Sequence, residues 1–261
     1  MTAASGLDHF KARIDDVVAH HPVVTDNQYT RWFATGEATR DEVRHLAVQF
    51  SVFSHLFVEA QLRKCINATT LESYRAGKEI LLNELGVTFS GKPDEEGIAT
   101  EGSVEGSRFR FGAAHFEWLL RFAQPLGLGF SDLGKPRNGT ESTMHFCNEL
   151  LRIYGSEDPC EAGGASYAVE HWAAAGFWKE LIAGLDAFRD RECPKLPLGF
   201  WKWHDKVEDQ HAAHTAEELE EAYGQPWFDE DRFVRAAGEM LDGVKVFWDG
   251  LSNDKQAGVT L

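Results

Sequence analysis

An all-α fold is predicted for this 261-residue chain because apolar residues recur at three- and four-residue spacing from end to end, while alternating β-branched runs are scarce. The composition agrees. With 43% hydrophobic and 12% aromatic residues the chain has the apolar mass to build one core, so no disulfide or zinc staple is required. Acidic residues outnumber basic ones 42 to 26, and the formal charge of −16 repels phosphate backbones and anionic head groups. Nucleic acid and membrane surfaces are therefore excluded as expected partners. The segment Met1 to Gly6 lacks a basic cluster and an apolar run, and no window approaches the roughly 18 apolar residues of a membrane span, so a cytoplasmic chain is expected. Cys65, Cys147, Cys160 and Cys193 contain no Cys-x-x-Cys pair and read as reduced thiols in a core.

In chain order, the apolar period predicts helices over 6–20, 27–35, 40–68, 70–85, 108–126, 140–154, 158–190, 198–223 and 229–251. The third starts at a capping box, Thr39-Arg40-Asp41-Glu42, in which a hydroxyl and a carboxylate satisfy free amides of the first turn. Pro194 and Pro197 separate 158–190 from 198–223 without any shift in composition. Residues 87–107 carry five acids, a proline and repeated glycines, and read as a loop or excursion. One domain is the simplest account.

The helix 198–223 holds the most informative pattern, His204-x3-Glu208-x2-His211. At 100° per residue these three side chains fall within about 60° of one another, so one metal centre is able to receive all of them. Imidazole with carboxylate suits iron, manganese or zinc; the bland alternative is a solvated, charged helix face. Glu170 stands among small and aromatic residues, Ala165 to Ala175, where an ionised carboxylate needs a cation, either a metal or a basic side chain of another helix. Glu84 closes a helix, against the macrodipole, and His115 opens one in an apolar setting. A rival grouping pairs Glu42-x-x-His45 with Glu208-x-x-His211 in the manner of ferritin-like bundles, but the capping box already accounts for Glu42.

Taken together, these residues resemble the heme-oxygenase-like di-iron oxidases and oxygenases, relatives of TenA, PqqC and the chlamydial CADD-like proteins. The likeness spans most of the chain. It begins with His21-Pro22, Gly36 to Glu42 and Gln49-Phe50, and is carried by Asn83-Glu84-Leu85-Gly86, His115 to Ala123, Tyr167-Ala168-Val169-Glu170 and His204-x3-Glu208-x2-His211. The resemblance implies a seven-helix, single-domain bundle over 1–261 with 87–107 as an inserted loop. It implies six ligands, Glu84, His115, Glu170, His204, Glu208 and His211, for two ferrous ions per chain, with O2 as co-substrate. The sequence departs from the family in two places. Glu208 stands where aspartate is usual, and Glu84 and His115 are 31 positions apart instead of within two turns of one helix. The implied activity is oxidation or oxygenation of a small metabolite in biosynthesis, an amino acid, amine or fatty acid, with an unspecified electron donor and a homodimer as the assembly. Trp118, Tyr167, Trp172, Phe177 and Trp178 are the expected pocket wall. Tyr29, in the family region at the pocket mouth, is the candidate for a tyrosine that takes part in the chemistry. The alternatives are a metal-free relative, either a cofactor-free oxidase or a thiaminase using Cys147 or Cys160, and a non-catalytic metal- or partner-binding bundle.

Overall fold

The computed structural model describes residues 3–89 and 109–259, with the side chains of 3–5, 88–89, 109–111, 207–212 and 214 outside that description. The described residues are all-α apart from one short ribbon. Its helices are α1 (Ala3–Ala19), α2 (Pro22–Thr25), α3 (Gln28–Ala34), α4 (Arg40–Ile66), α5 (Leu71–Glu84), α6 (His115–Ala123), α7 (Glu141–Glu149), α8 (Pro159–Ala174), α9 (Phe177–Glu192), α10 (Gly199–Tyr223) and α11 (Glu230–Gln256). The ribbon is β1 (Val87–Phe89) paired antiparallel with β2 (Phe109–Phe111).

Local chemistry sets the helix boundaries. The Thr39 hydroxyl accepts from the Glu42 amide at 3.3 Å while the Glu42 carboxylate accepts from the Thr39 amide at 2.7 Å, so α4 starts at its capping box. Asn27, Thr70, Thr140, Asp158 and Asp229 cap α3, α5, α7, α8 and α11, each accepting a first-turn amide, and Thr70 with Ser73 does so reciprocally. The short α2, not expected from the periodicity, is capped by His21 Nδ1 and has Pro22 at its first position. The expected helix 158–190 is instead two, because Gly176 takes a left-handed φ of +104° that ends α8 and starts α9 in a new direction. That turn lays Phe177 flat on Trp172, with ring centroids 4.5 Å apart. The expected helix 108–126 begins only at His115, since 109–111 belong to the ribbon. The helix at 140–154 finishes as a π turn over Leu150–Tyr154.

The buried residues form one cluster, dense in aromatic rings, among them Phe50, Phe146, Phe200, Trp201, Phe247 and Trp248. Two helix pairs approach so closely that glycine is required: a Cβ at Gly164 would lie 2.3 Å from the Phe233 carbonyl, and one at Gly184 would lie 2.1 Å from that of Phe33. α8 is thereby seated on α11, and α9 on α3. No described helix is long and apolar enough to cross a membrane.

His21 and His55 give the fold a pH dependence. Burial is the main cause that lowers both imidazole pKa values from 6.5, with Lys135 adding to the effect at His55. Below pH 6.5 the unfolded chain therefore binds more protons than the folded one, so stability falls as pH drops. Urea midpoints measured at pH values of about 7.5 and 5.5 are expected to be lower at the acid end. Replacing both histidines by glutamine is expected to shrink that difference.

Candidate metal centre

Three of the residues singled out from the sequence meet in the core. One ligand atom from each of Glu84, His115 and His204 lies within 4.8 Å of the other two. Two ligands on opposite sides of one cation stand roughly 4.3 Å apart, so the set is close to the spacing of a loaded site. Glu84 comes from the last turn of α5, His115 from the first residue of α6 and His204 from the second turn of α10. The ribbon explains how the first two meet. With Val87 opposite Phe111, and the Gly112 amide donating to the Gly86 carbonyl at 2.7 Å, the intervening segment leaves and returns at one point. Gly86 has φ +71°, and a Cβ there would lie 2.8 Å from the backbone at Ala113 and Ala114, so this junction needs glycine.

The donor atoms have the character of ligands. His115 Nδ1 stands 2.9 Å from Glu84 Oε2, yet it is a buried atom without a hydrogen-bond partner, because the two are not aligned for N–H···O donation. An imidazole nitrogen and a carboxylate oxygen brought together in this way suit a shared cation. Their side chains are only 5% and 12% exposed, which raises the cost of leaving them without one. His204 Nδ1 donates to the Phe200 carbonyl one turn earlier at 2.8 Å, a contact that fixes the orientation of the ring. Phe200 was missed in the sequence reading, although the position four residues before a helical histidine is where such an acceptor sits. Trp203, also unforeseen, packs on the His115 ring at 4.7 Å between centroids.

Glu170 of α8 is 5% exposed and lines, together with Glu84 and His204, a small cavity of about 60 Å³. Trp172, Phe177 and Trp178 form part of its wall, joined by Phe50, Phe53 and Phe200. Trp178 stacks on His204 at 4.9 Å. Two expected wall residues lie elsewhere. Trp118 packs behind the site, against His115 and Trp203. Tyr167 turns to α1, where its hydroxyl bonds Asp15, and it stacks on His171. Tyr29 is buried among Trp32, Phe33 and Trp248 and is not on this cavity wall; burial, with Glu42 and Asp254 nearby, pushes its phenol well above the ordinary range. Glu208 and His211 follow His204 on α10, but their side chains lie outside the described residues. In the ferritin-like rival grouping, Glu42 is occupied by its cap and His45 Nε2 pairs with Asp254 of α11 at 2.9 Å, so that pair does not join the cluster.

This architecture matches solved structures over nearly its whole length. A CADD-like protein of unknown function from Nostoc punctiforme superposes with a TM-score of 0.67 at 18% identity, covering 96% of this chain and 98% of that one. A TenA homolog from Pseudomonas syringae gives 0.63 at 12% identity, covering 97% and 93%. A domain of unknown function with a heme oxygenase-like fold, from Shewanella denitrificans, gives 0.61 at 14%, covering 98% and 94%. The fold is heme-oxygenase-like. No protein-family profile matches the sequence, and no curated protein is similar enough to it to count as a relative. Within the heme-oxygenase-like architecture, the Glu84, His115 and His204 cluster is a feature among the described residues that points toward chemistry, since the shared fold by itself assigns none.

Proposed function

We propose that the chain is a non-heme di-iron, O2-activating oxidase or oxygenase acting on a small metabolite, in the range of amino acids, amines and fatty acids. The observation that carries this reading is the convergence of Glu84, His115 and His204, with His115 Nδ1 and Glu84 Oε2 2.9 Å apart and not hydrogen-bonded. The donor set fits iron, since mixed imidazole and carboxylate ligands are those of non-heme iron sites. Glu170, on the same cavity, and Glu208 and His211, further along α10, would complete the ligands for a second ion. When bound, a ferrous pair supplies one-electron redox chemistry and open coordination positions for O2.

The protein's own part is positioning and exclusion. The Phe200 carbonyl accepts from His204 Nδ1, which orients the ring and makes Nε2 the nitrogen that would hold a metal. Glu84 and Glu170 bring negative charge into an apolar setting, favouring a divalent cation there. Phe50, Phe53, Trp172, Phe177, Trp178 and Phe200 keep bulk water from the cavity. The thiaminase alternative is disfavoured by its nucleophiles. Burial pushes the Cys147 thiol up to about 12. Cys160 is buried and also raised, with its sulfur held between the Trp227 carbonyl and the Asp229 amide.

Anaerobic titration with ferrous iron, followed by oxygen, tests the proposal. A break at two irons per chain, then O2 uptake with a transient visible absorbance band, is expected. An absence of iron binding would return the chain to the metal-free alternative, a single-iron endpoint would remove the second ion, and loading without O2 uptake would leave a binding bundle.

A further inference from the structure

A second, much larger cavity of about 650 Å³ opens where the end of α4, the start of α5, the start of α8 and the last turns of α10 come together. Its volume falls in the range of small-molecule sites, roughly 300–1,000 Å³, whereas the cavity at the metal centre holds little more than an ion and its solvent. Its charge is uneven. Glu72 and Glu79 of α5 and Glu217 and Glu221 of α10, all exposed, line it from two helices, with Arg75, also exposed, as the basic residue among them. None of these four carboxylates forms an ion pair among the described residues.

The other basic residue on the wall, Lys64, does not offset them. Its side chain is 10% exposed, and its ammonium is already committed to Glu218 at 3.0 Å and to the Ser166 hydroxyl at 2.9 Å. Lys64 and Glu218 therefore cancel as a pair, which leaves four carboxylates against one guanidinium. An anion entering the cavity would meet net repulsion and no uncommitted ammonium. A cation gains from both walls. Trp227, still 36% exposed, contributes an indole at the edge of the cavity, suited to the apolar body or the charge of an organic cation.

We infer that this cavity is a binding site for a small organic cation, an amine protonated at neutral pH and carrying an apolar group that reaches Trp227. The site is separate from the metal centre and does not depend on the reading of that centre. Phenethylamine is a suitable probe, with 3-phenylpropionate as its counterpart of similar size and opposite charge. Isothermal titration of the whole chain is expected to give one phenethylamine per chain and no binding of phenylpropionate. The paired substitution Glu217→Gln with Glu221→Gln should weaken phenethylamine binding about tenfold or more, and Trp227→Ala should also weaken it. The pair Glu72→Gln with Glu79→Gln, on a different helix, repeats the test should the first variant melt early. His204→Ala should leave phenethylamine affinity unchanged. Equal binding of the two compounds, unchanged affinity in the glutamine variants, or no phenethylamine binding at concentrations of about 10 mM would overturn the assignment.

Discussion

Replacing His204 with alanine is expected to lower ferrous affinity at least about 100-fold, a loss of roughly 2.7 kcal/mol of binding free energy. The imidazole is held by the Phe200 carbonyl at Nδ1 and by the Trp178 and Phe200 rings packed on it, so its removal takes away a donor fixed in place. Truncation also leaves a hole beside those rings, costing about 1–3 kcal/mol of stability, which would complicate a measurement on that variant alone. Glu84→Gln separates the two effects. It preserves volume while removing the charge that faces His115 Nδ1, so the fold should melt near the temperature of the parent while iron loading falls sharply. Anaerobic titration beside circular dichroism reads both quantities. Full loading in both variants would remove these residues from the metal centre.

Gly184→Ala is expected to cost about 3–5 kcal/mol, among the largest penalties for adding one methyl group. The added carbon would sit 2.1 Å from the Phe33 carbonyl oxygen and 2.6 Å from Cδ1 of the same residue. The first obstacle is backbone, and the second is a ring enclosed by Tyr29 and Trp32, so relief requires α3 and α9 to part. Gly238→Ala serves as the comparison. That glycine lies within α11 with nothing inside 4 Å of the added carbon, and alanine there should stabilise by about 0.5–1 kcal/mol. Thermal melts of the two variants should therefore move in opposite directions. A Gly184→Ala protein that melts with the parent would mean that α3 and α9 are not in such close contact.

The helices were legible in the sequence wherever burial imposes a 3.6-residue period, and the α4 start was legible to the residue because the capping box is local chemistry. What escaped was set by backbone conformation or by distant partners. Gly176 breaks 158–190 through a left-handed turn that carries no hydrophobic signal of its own. Tyr167 sits in the same apolar run as Glu170, but the pull of Asp15 on α1 is a contact no local pattern records. At the candidate centre, spacing along one helix brought His204 forward, and apolar surroundings did so for Glu170. The approach of Glu84 to His115 depends on a strand pairing of three residues a side, too short to produce an alternating pattern. The large cavity lies between helix ends, where periodicity stops being informative.

That short ribbon has a consequence for how the chain tolerates change. Because β1 and β2 close on each other just outside the Gly86 to Gly112 contact, the end of α5 and the start of α6 are stapled together there. Lengthening, trimming or replacing the residues beyond Phe89 and before Phe109 is expected to leave that staple in place. Sequence separation between Glu84 and His115 then ceases to measure how far apart they stand, and a pairing of this kind can be carried through large insertions intact.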